Sequence, residues 1–136
     1  MRGENRIMDI VPAKKTVIGS NVVNPQNEDL GKIEDVVLDA ASGRIAYAVL
    51  SFGGFLGMGD KYFAIPWDAI HFEVSEGHAV LNVDKKLLEN APGFDKDNWP
   101  NMADSIWGTS IFKHYGYTPY WNEVSGTTST TTRDRR

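Results

Sequence analysis

The sequence contains no cysteine. A disulfide framework, a thiolate nucleophile and a metal held by thiolates are therefore excluded. Long apolar runs are also lacking, because the longest, Ile45 to Leu50, is far shorter than the roughly 20 residues of a membrane helix. The N-terminal stretch lacks the apolar core of a secretory signal. We therefore expect a cytoplasmic protein with no direct membrane insertion.

Positive charge is scarce, since 14 lysines and arginines stand against 18 acidic residues, for a net charge of -4. The basic residues are scattered along the chain, whereas a nucleic-acid site requires a basic patch. The composition thus argues against a nucleic-acid partner. With 41% hydrophobic and 24% charged residues in 136, the chain fits one globular domain with extensions.

Short β-branched runs separated by tight turns dominate the first two thirds of the sequence. The runs are Val17 to Val23, Leu30 to Asp39, Ile45 to Phe52, Tyr62 to Ile65 and a hairpin over residues 70–83 that turns at Glu76-Gly77. The third run carries apolar residues at both alternating sets of positions, which predicts a central strand buried on both faces. About six strands with no helix between them favour a mainly β fold, a small antiparallel barrel over a sandwich.

The last third of the sequence has a different character. Asp84 is a predicted N-cap for a short helix that ends before Pro92. Aromatic residues then become frequent, and Trp107, Ile111 and Tyr115 recur at helical spacing, which predicts a helix over about 103–115. So many rings should pack on the barrel or on a second subunit.

The predicted organisation has four parts. They are an N-terminal extension (1–14), a barrel domain (15–90), an aromatic-rich extension that packs on the barrel or a second subunit (91–122) and a disordered Ser/Thr-rich tail (123–136).

Three short elements occur in an order that is similar to a known family. They are Leu-Gly-Lys-Ile at 30–33, Ser-Gly-Arg-Ile at 42–45 and Ile-Pro-Trp at 65–67. With them, residues 15–88 resemble a PRC-barrel domain, and residues 91–100 resemble free-standing bacterial members. The family includes the cytoplasmic domain of the photosynthetic reaction-centre H subunit and the C-terminal domain of the ribosome maturation factor RimM. The resemblance implies a small β-barrel that contacts other macromolecules and shares no catalytic residues.

The glycine-rich stretch at 53–60 invites comparison with phosphate-binding loops. Asp60 separates the last glycine from Lys61, and a strand rather than a helix is predicted to follow. A phosphate loop needs Gly-Lys-Ser/Thr and a helix N-terminus, so a turn is favoured, with ligand binding left as an alternative. Phe55, Leu56 and Met58 at its tip are predicted to contact another subunit, a partner or the aromatic segment.

No catalytic, cofactor or metal site is predicted. His71 and His78 should share a strand face about four residues apart, too far for one metal, and His114 should be structural or solvated. Nothing in the sequence brings two carboxylates together, and Asp39 should cap the Ser-Gly turn that follows it.

The expected function is a non-enzymatic protein-interaction or assembly module, homo-oligomeric with a dimer favoured, whose protein partner is unknown. The alternative is a ribosome- or RNA-associated maturation factor. Besides the loop tip, the candidate contact residues are Trp67, Trp107, Phe112 and Tyr115.

Overall fold

A computed structural model describes residues 5–53 and 60–122 of the chain. This part contains seven strands and two α-helices. The strands are β1 (Asn21–Val23), β2 (Asp29–Leu38), β3 (Ile45–Gly53), β4 (Asp60–Pro66), β5 (Ile70–Glu73), β6 (His78–Leu81) and β7 (Phe94–Asp95), and the helices are α1 (Lys85–Glu89) and α2 (Ser105–His114). None of the helices in this part has the length and hydropathy needed to cross a membrane.

The strands form one sheet in the order β5-β6-β1-β2-β3-β4-β7. This confirms the predicted mainly β fold. The sheet is not closed, because β5 and β7 are its two ends among the described strands. One pairing departs from the antiparallel prediction, since β6 runs parallel to β1 where the β5–β6 hairpin returns to the start of the sheet.

The first predicted run forms a strand only at its C-terminal end. Residues Ala13–Val17 instead make a single helical turn, in which the Ile18 amide donates to the Ala13 carbonyl. Gly19 then reverses the chain at φ +92 and its amide donates to the Ile33 carbonyl. This turn anchors the start of the domain beside Ile33, in the middle of β2.

The β5–β6 hairpin has a longer turn than the sequence suggested. Glu73 pairs with His78 and His71 pairs with Val80, so four residues, 74–77, form the connection. Amides of Glu76 and Gly77 both donate to the Glu73 carbonyl, which closes the wider turn. His71 and His78 consequently lie two residues apart on their shared face, and the predicted spacing of four was wrong.

β3 is buried along Ala46 to Leu50, on both of its faces, as its pattern predicted. Cross-strand partners lie on the same face of a sheet. Leu50 opposite Phe63 therefore belongs to the inner face, and Tyr47 opposite Pro66 belongs to the outer face. The outer face thus presents large apolar side chains that a single sheet cannot cover.

Both α-helices begin after an aspartate N-cap, of which the sequence analysis predicted Asp84. The Asp84 carboxylate accepts the Leu87 amide at 2.7 Å, and the Asp104 carboxylate accepts the Ile106 amide at 2.9 Å. α2 ends at His114, and Gly116 follows at φ +84. A carboxylate at an N-cap and a glycine after the last turn are the usual helix boundaries.

Gly31 lets β2 pass close over β3. Its φ is +119, and a Cβ built on it would lie 2.1 Å from the Ser51 carbonyl oxygen. Backbone cannot give way as a flexible side chain can, so only glycine fits between these strands. Gly43, at φ +83, has a similar positive φ but open space around it.

We predict that Gly31→Ala lowers the free energy of unfolding by about 3 kcal/mol or more, because strain and a backbone clash act together. Gly43→Ala is the matched control and should cost only about 1–2 kcal/mol, the strain of the positive φ alone. Urea denaturation of both variants measures the difference. Equal losses would show that β2 and β3 are not this close at Ser51.

Candidate functional site

An aromatic layer covers the outer face of β3. The Tyr47 ring packs against Trp107 and Phe112 of α2, with centroids 5.4 and 5.6 Å apart. Phe112 in turn contacts the rings of Tyr120 and Trp121 at 6.2 and 5.2 Å. Such tilted and edge-on pairs stabilise beyond the area that they bury. α2 and the turn Tyr120–Asn122 therefore form a second layer on the sheet.

A smaller ring cluster covers the other end of this face. Tyr62 of β4 meets Phe94 and Trp99, each with a centroid distance of 6.0 Å. The Trp99 indole N–H donates to the Lys96 carbonyl at 2.8 Å, which fixes its ring. The segment between α1 and α2 thus also packs on the outer face of the sheet.

Asp39 joins the two layers through hydrogen bonds. Its Oδ1 accepts the amides of Ala41 and Ser42, which confirms the predicted cap of the Ser-Gly turn. Its Oδ2 accepts the Tyr120 hydroxyl at 2.5 Å. The Arg44 guanidinium lies 3.9 Å from the centre of the Tyr120 ring. One carboxylate thereby holds the β2–β3 turn and the C-terminal segment together.

The Asp39–Tyr120 hydrogen bond shifts the pKa of both residues. The Tyr120 hydroxyl lowers the pKa of Asp39, although burial opposes the shift. Burial, followed by the Asp39 hydrogen bond and charge, raises the pKa of Tyr120. The lowered pKa of Asp39 means that its ionised form is stabilised, whereas a general acid or base usually has a pKa shifted towards neutral pH.

A cavity of about 710 Å³ opens between the two layers, next to this contact. Apolar side chains form most of its wall, among them Val37, Leu38, Ala46 and Met102. Asp39 and Asp104 also line it, and none of its lining residues is a lysine or an arginine. The wall of the cavity is therefore mainly apolar.

The rim of the cavity exposes large apolar side chains. Leu38 is 63% exposed, and Ile106 is 81% exposed on the first turn of α2. Ile106 lines a second depression of about 370 Å³, which shares Ser105 and Trp121 with the cavity, so Trp121 lies between two concave regions. We call this area, defined by Leu38, Ile106, Trp121 and the cavity, the contact surface.

The Tyr47 hydroxyl is buried below the cavity without a hydrogen-bond partner among the described residues. Burial raises its pKa to about 12. A Cβ on Gly108 would lie 2.6 Å from this hydroxyl and 2.7 Å from the Trp121 ring. Glycine at 108 is therefore what allows α2 to approach both rings.

The residues predicted as contacts are found in different places. Phe55, Leu56 and Met58 lie outside the described residues. Trp67 begins the short turn Trp67–Ala69 and is half-buried against the core, as is Trp107 of α2. Phe112 and Tyr115 are buried within the chain itself, and burial raises the pKa of Tyr115. That any of them contacts a partner stays a prediction.

The polar candidates do not assemble into a reaction centre. His71 Nε2 lies 2.9 Å from the Glu73 carboxylate, with the histidine side chain exposed, and His114 is half-buried on α2. Across residues 5–53 and 60–122, no group of histidines and carboxylates could hold a metal ion. β4 begins at Asp60, so the glycine-rich stretch leads into a strand and not into a helix.

Two polar contacts escaped the sequence analysis. The Asp39–Tyr120 bond joins residues 81 positions apart, and no local pattern marks it. The buried Asn24 amide accepts two amides of its own turn and donates to the Val83 carbonyl, across 59 positions. The Asn-Pro turn was visible in the sequence, but its burial under the end of β6 was not.

Tyr120→Phe should lower the free energy of unfolding by about 1 kcal/mol at neutral pH, because it removes a half-exposed hydrogen bond to a carboxylate. The pKa of Asp39 is lower in the folded than in the unfolded protein, so ionised Asp39 stabilises the fold above its unfolded pKa of about 3.9. This stabilisation is lost as the pH falls through the folded-state pKa. The pKa of Tyr120 is higher in the folded than in the unfolded protein, so its neutral hydroxyl stabilises the fold below about pH 10. This stabilisation is lost as the pH rises through the folded-state pKa.

Chemical denaturation between pH 3 and 10.5 measures this prediction. The difference in the free energy of unfolding between wild type and Tyr120→Phe should be largest near neutral pH and smaller at both ends of this range. Tyr117→Phe, an exposed tyrosine of the same segment, is the control. A gap that does not change with pH would contradict the assignment.

Gly108→Ala should displace the Trp121 ring, since the new methyl group would overlap it and Trp121 is more exposed than Tyr47. We expect a shift of tryptophan fluorescence to longer wavelength and a loss of about 1–3 kcal/mol, the usual cost of overpacking. Ser110→Ala, at an exposed position of the same helix, is the control. An unchanged emission spectrum would contradict the packing of Trp121 on α2.

Comparison with known proteins identifies the sheet domain. The family model described as PRC-barrel domain matches residues 13–88. No curated protein matches the chain. Among solved structures, one match is the crystal structure described as a 16S ribosomal RNA processing protein, RimM, from Pseudomonas aeruginosa, with 15% identity and a TM-score of 0.36. The match covers 56% of this chain and 50% of that one, so this chain spans about half of its length. Because the family model covers more than half of the sequence, the protein belongs to the PRC-barrel domain family.

Proposed function

We propose that the protein is a non-enzymatic interaction module that assembles with another protein through the contact surface. The observation that carries this proposal is the pair of exposed apolar side chains, Leu38 and Ile106, beside the apolar cavity of about 710 Å³. Contiguous apolar surface with a polar rim marks interaction sites in soluble proteins. We place this module in the cytoplasm, among the free-standing bacterial members of its family.

The chemistry of the surface supports binding over catalysis. Asp39 already accepts three hydrogen bonds, from Ala41, Ser42 and Tyr120. Asp104 caps α2 through the Ile106 amide. Both carboxylates are therefore engaged in holding the fold, whereas a general acid or base must be within reach of a substrate proton.

The alternative is a ribosome- or RNA-associated role. RNA binding requires cationic groups that track the phosphate backbone. The wall of the cavity instead carries two carboxylates, and none of its residues is a lysine or an arginine. The contact surface consequently favours a protein partner.

The test replaces both exposed residues, Leu38→Asp with Ile106→Asp, to give the surface variant. We expect the variant to lose self-association or partner capture, because two charges would be desolvated at the interface. Light scattering of the purified protein and crosslinked affinity capture from the source cells measure the two forms of assembly.

Leu87→Asp is the control, since Leu87 is an apolar residue on α1 that is 37% exposed and lines neither concave region. Circular dichroism should show that both variants are folded. If the surface variant keeps the molar mass and partners of the wild type, the proposal is wrong. Copurifying RNA that high salt removes would favour the alternative.

A further inference from the structure

The Tyr47 hydroxyl stands apart from the other buried polar groups. Tyr47 is 2% exposed, and its hydroxyl has no hydrogen-bond partner among residues 5–53 and 60–122. His114 Nε2 and the Tyr115 hydroxyl are also buried without a partner there, but neither residue lines the cavity or the second depression. Of these three residues, Tyr47 is the one that borders a space that a molecule could enter.

A buried hydroxyl without a partner is unfavourable, because folding has removed its hydrogen bonds to water and has not replaced them. Burial raises the pKa of Tyr47 to about 12, so the phenol keeps its proton at neutral pH. The hydroxyl therefore has a proton to donate, and an oxygen atom that accepts it would remove the unfavourable state.

The backbone of α2 and the Trp121 ring lie next to the Tyr47 hydroxyl. A Cβ on Gly108 would lie 2.6 Å from the hydroxyl and 2.7 Å from the ring. The helix backbone is fixed by its own hydrogen bonds, whereas Trp121 is 37% exposed and follows Tyr120 in a short turn. The second depression, which Trp121 also lines, gives the ring space to turn into. Trp121 is therefore the movable part of the cover.

The wall of the cavity restricts the kind of molecule that fits. Its volume of about 710 Å³ is that of a small-molecule pocket. Asp39 and Asp104 disfavour an anion, and both carboxylates already accept hydrogen bonds within the fold. The rings of Tyr47, Tyr120 and Trp121 lie among the lining residues, and aromatic rings pack well against another ring. The wall thus suits an uncharged, mainly apolar molecule that contains a ring.

We propose that the cavity binds an uncharged, ring-containing small molecule whose carbonyl oxygen accepts a hydrogen bond from the Tyr47 hydroxyl. The molecule packs against the apolar wall that includes Val37, Ala46 and Met102. The Trp121 ring turns aside to admit its oxygen. This site goes beyond the proposed function, because it requires a single chain and no partner protein.

Two probes of nearly the same shape test the site. They are acetophenone and α-methylstyrene, which has a methylene group in place of the carbonyl oxygen. Nuclear magnetic resonance titration of the ¹⁵N-labelled full chain measures the dissociation constant of each. In Tyr47→Phe we expect acetophenone to bind about tenfold more weakly, because one hydrogen bond is lost, and α-methylstyrene to bind as before.

Tyr115→Phe is the matched control, since it removes a buried, unpartnered hydroxyl from a residue that lines neither concave region. Both dissociation constants should be unchanged in this variant. In the wild type, acetophenone should shift the indole N–H resonance of Trp121. The indole resonance of Trp99, which belongs to the other ring cluster, should stay in place.

The free protein gives a second measurement. Tyr47→Phe removes a hydroxyl that has no partner, so the variant should unfold in urea at the same midpoint as the wild type or at a higher one. A lower midpoint would show that the hydroxyl already has a partner in the free protein, and would overturn the proposed contact.

Two results of the titration would also overturn the site. No binding of acetophenone up to its solubility limit, or shifts confined to residues outside the cavity, would exclude it. Equal weakening of both probes by Tyr47→Phe would indicate an altered cavity shape and exclude the hydrogen bond to a carbonyl. The test of the proposed function measures assembly without either probe, so each proposal can fail while the other holds.

Discussion

The structure depends on one constraint, which is that β3 is buried on both faces. Its inner face packs into the sheet domain through Leu50 and Phe63, and its outer face carries Tyr47. A sheet with two apolar faces requires a layer on each side. The aromatic C-terminal extension provides the second layer, through Trp107 and Phe112 on Tyr47.

The second layer also forms one side of the cavity at the proposed contact surface. Because α2 begins at Ser105 and the chain returns through Tyr120, a concave space remains between the layers and the end of β2. The Asp39–Tyr120 hydrogen bond fixes one side of this space. Neither the sheet domain nor the extension would form the cavity alone, so the cavity is a property of their packing.

Much of the local structure could be predicted from residue patterns. The cap at Asp84 was predicted from local rules, and the unbroken apolar run of β3 indicated two buried faces. Local patterns did not predict the length of the turn between β5 and β6. Four residues connect these strands, where a two-residue turn was predicted. A two-residue Glu-Gly turn and a wider one are equally compatible with the flanking sequence.

The candidate site was mostly beyond sequence analysis, because it depends on contacts between distant segments. Asp39 was recognised as a turn cap, but nothing near it indicates that Tyr120 would reach its other oxygen. The exposed Leu38 and Ile106 look like ordinary strand and helix residues in the sequence. The aromatic segment was expected to pack either on its own barrel or on a second subunit, and the described contacts lie within one chain.

An isotope-filtered nuclear Overhauser experiment on a mixture of labelled and unlabelled chains tests this packing most directly. The account predicts that the contact between the Tyr47 and Phe112 rings, 5.6 Å apart, appears within single chains and is absent from the spectrum that selects contacts between chains. A Tyr47–Phe112 signal found only between labelled and unlabelled chains would contradict it, and would show that the extension covers a neighbouring subunit.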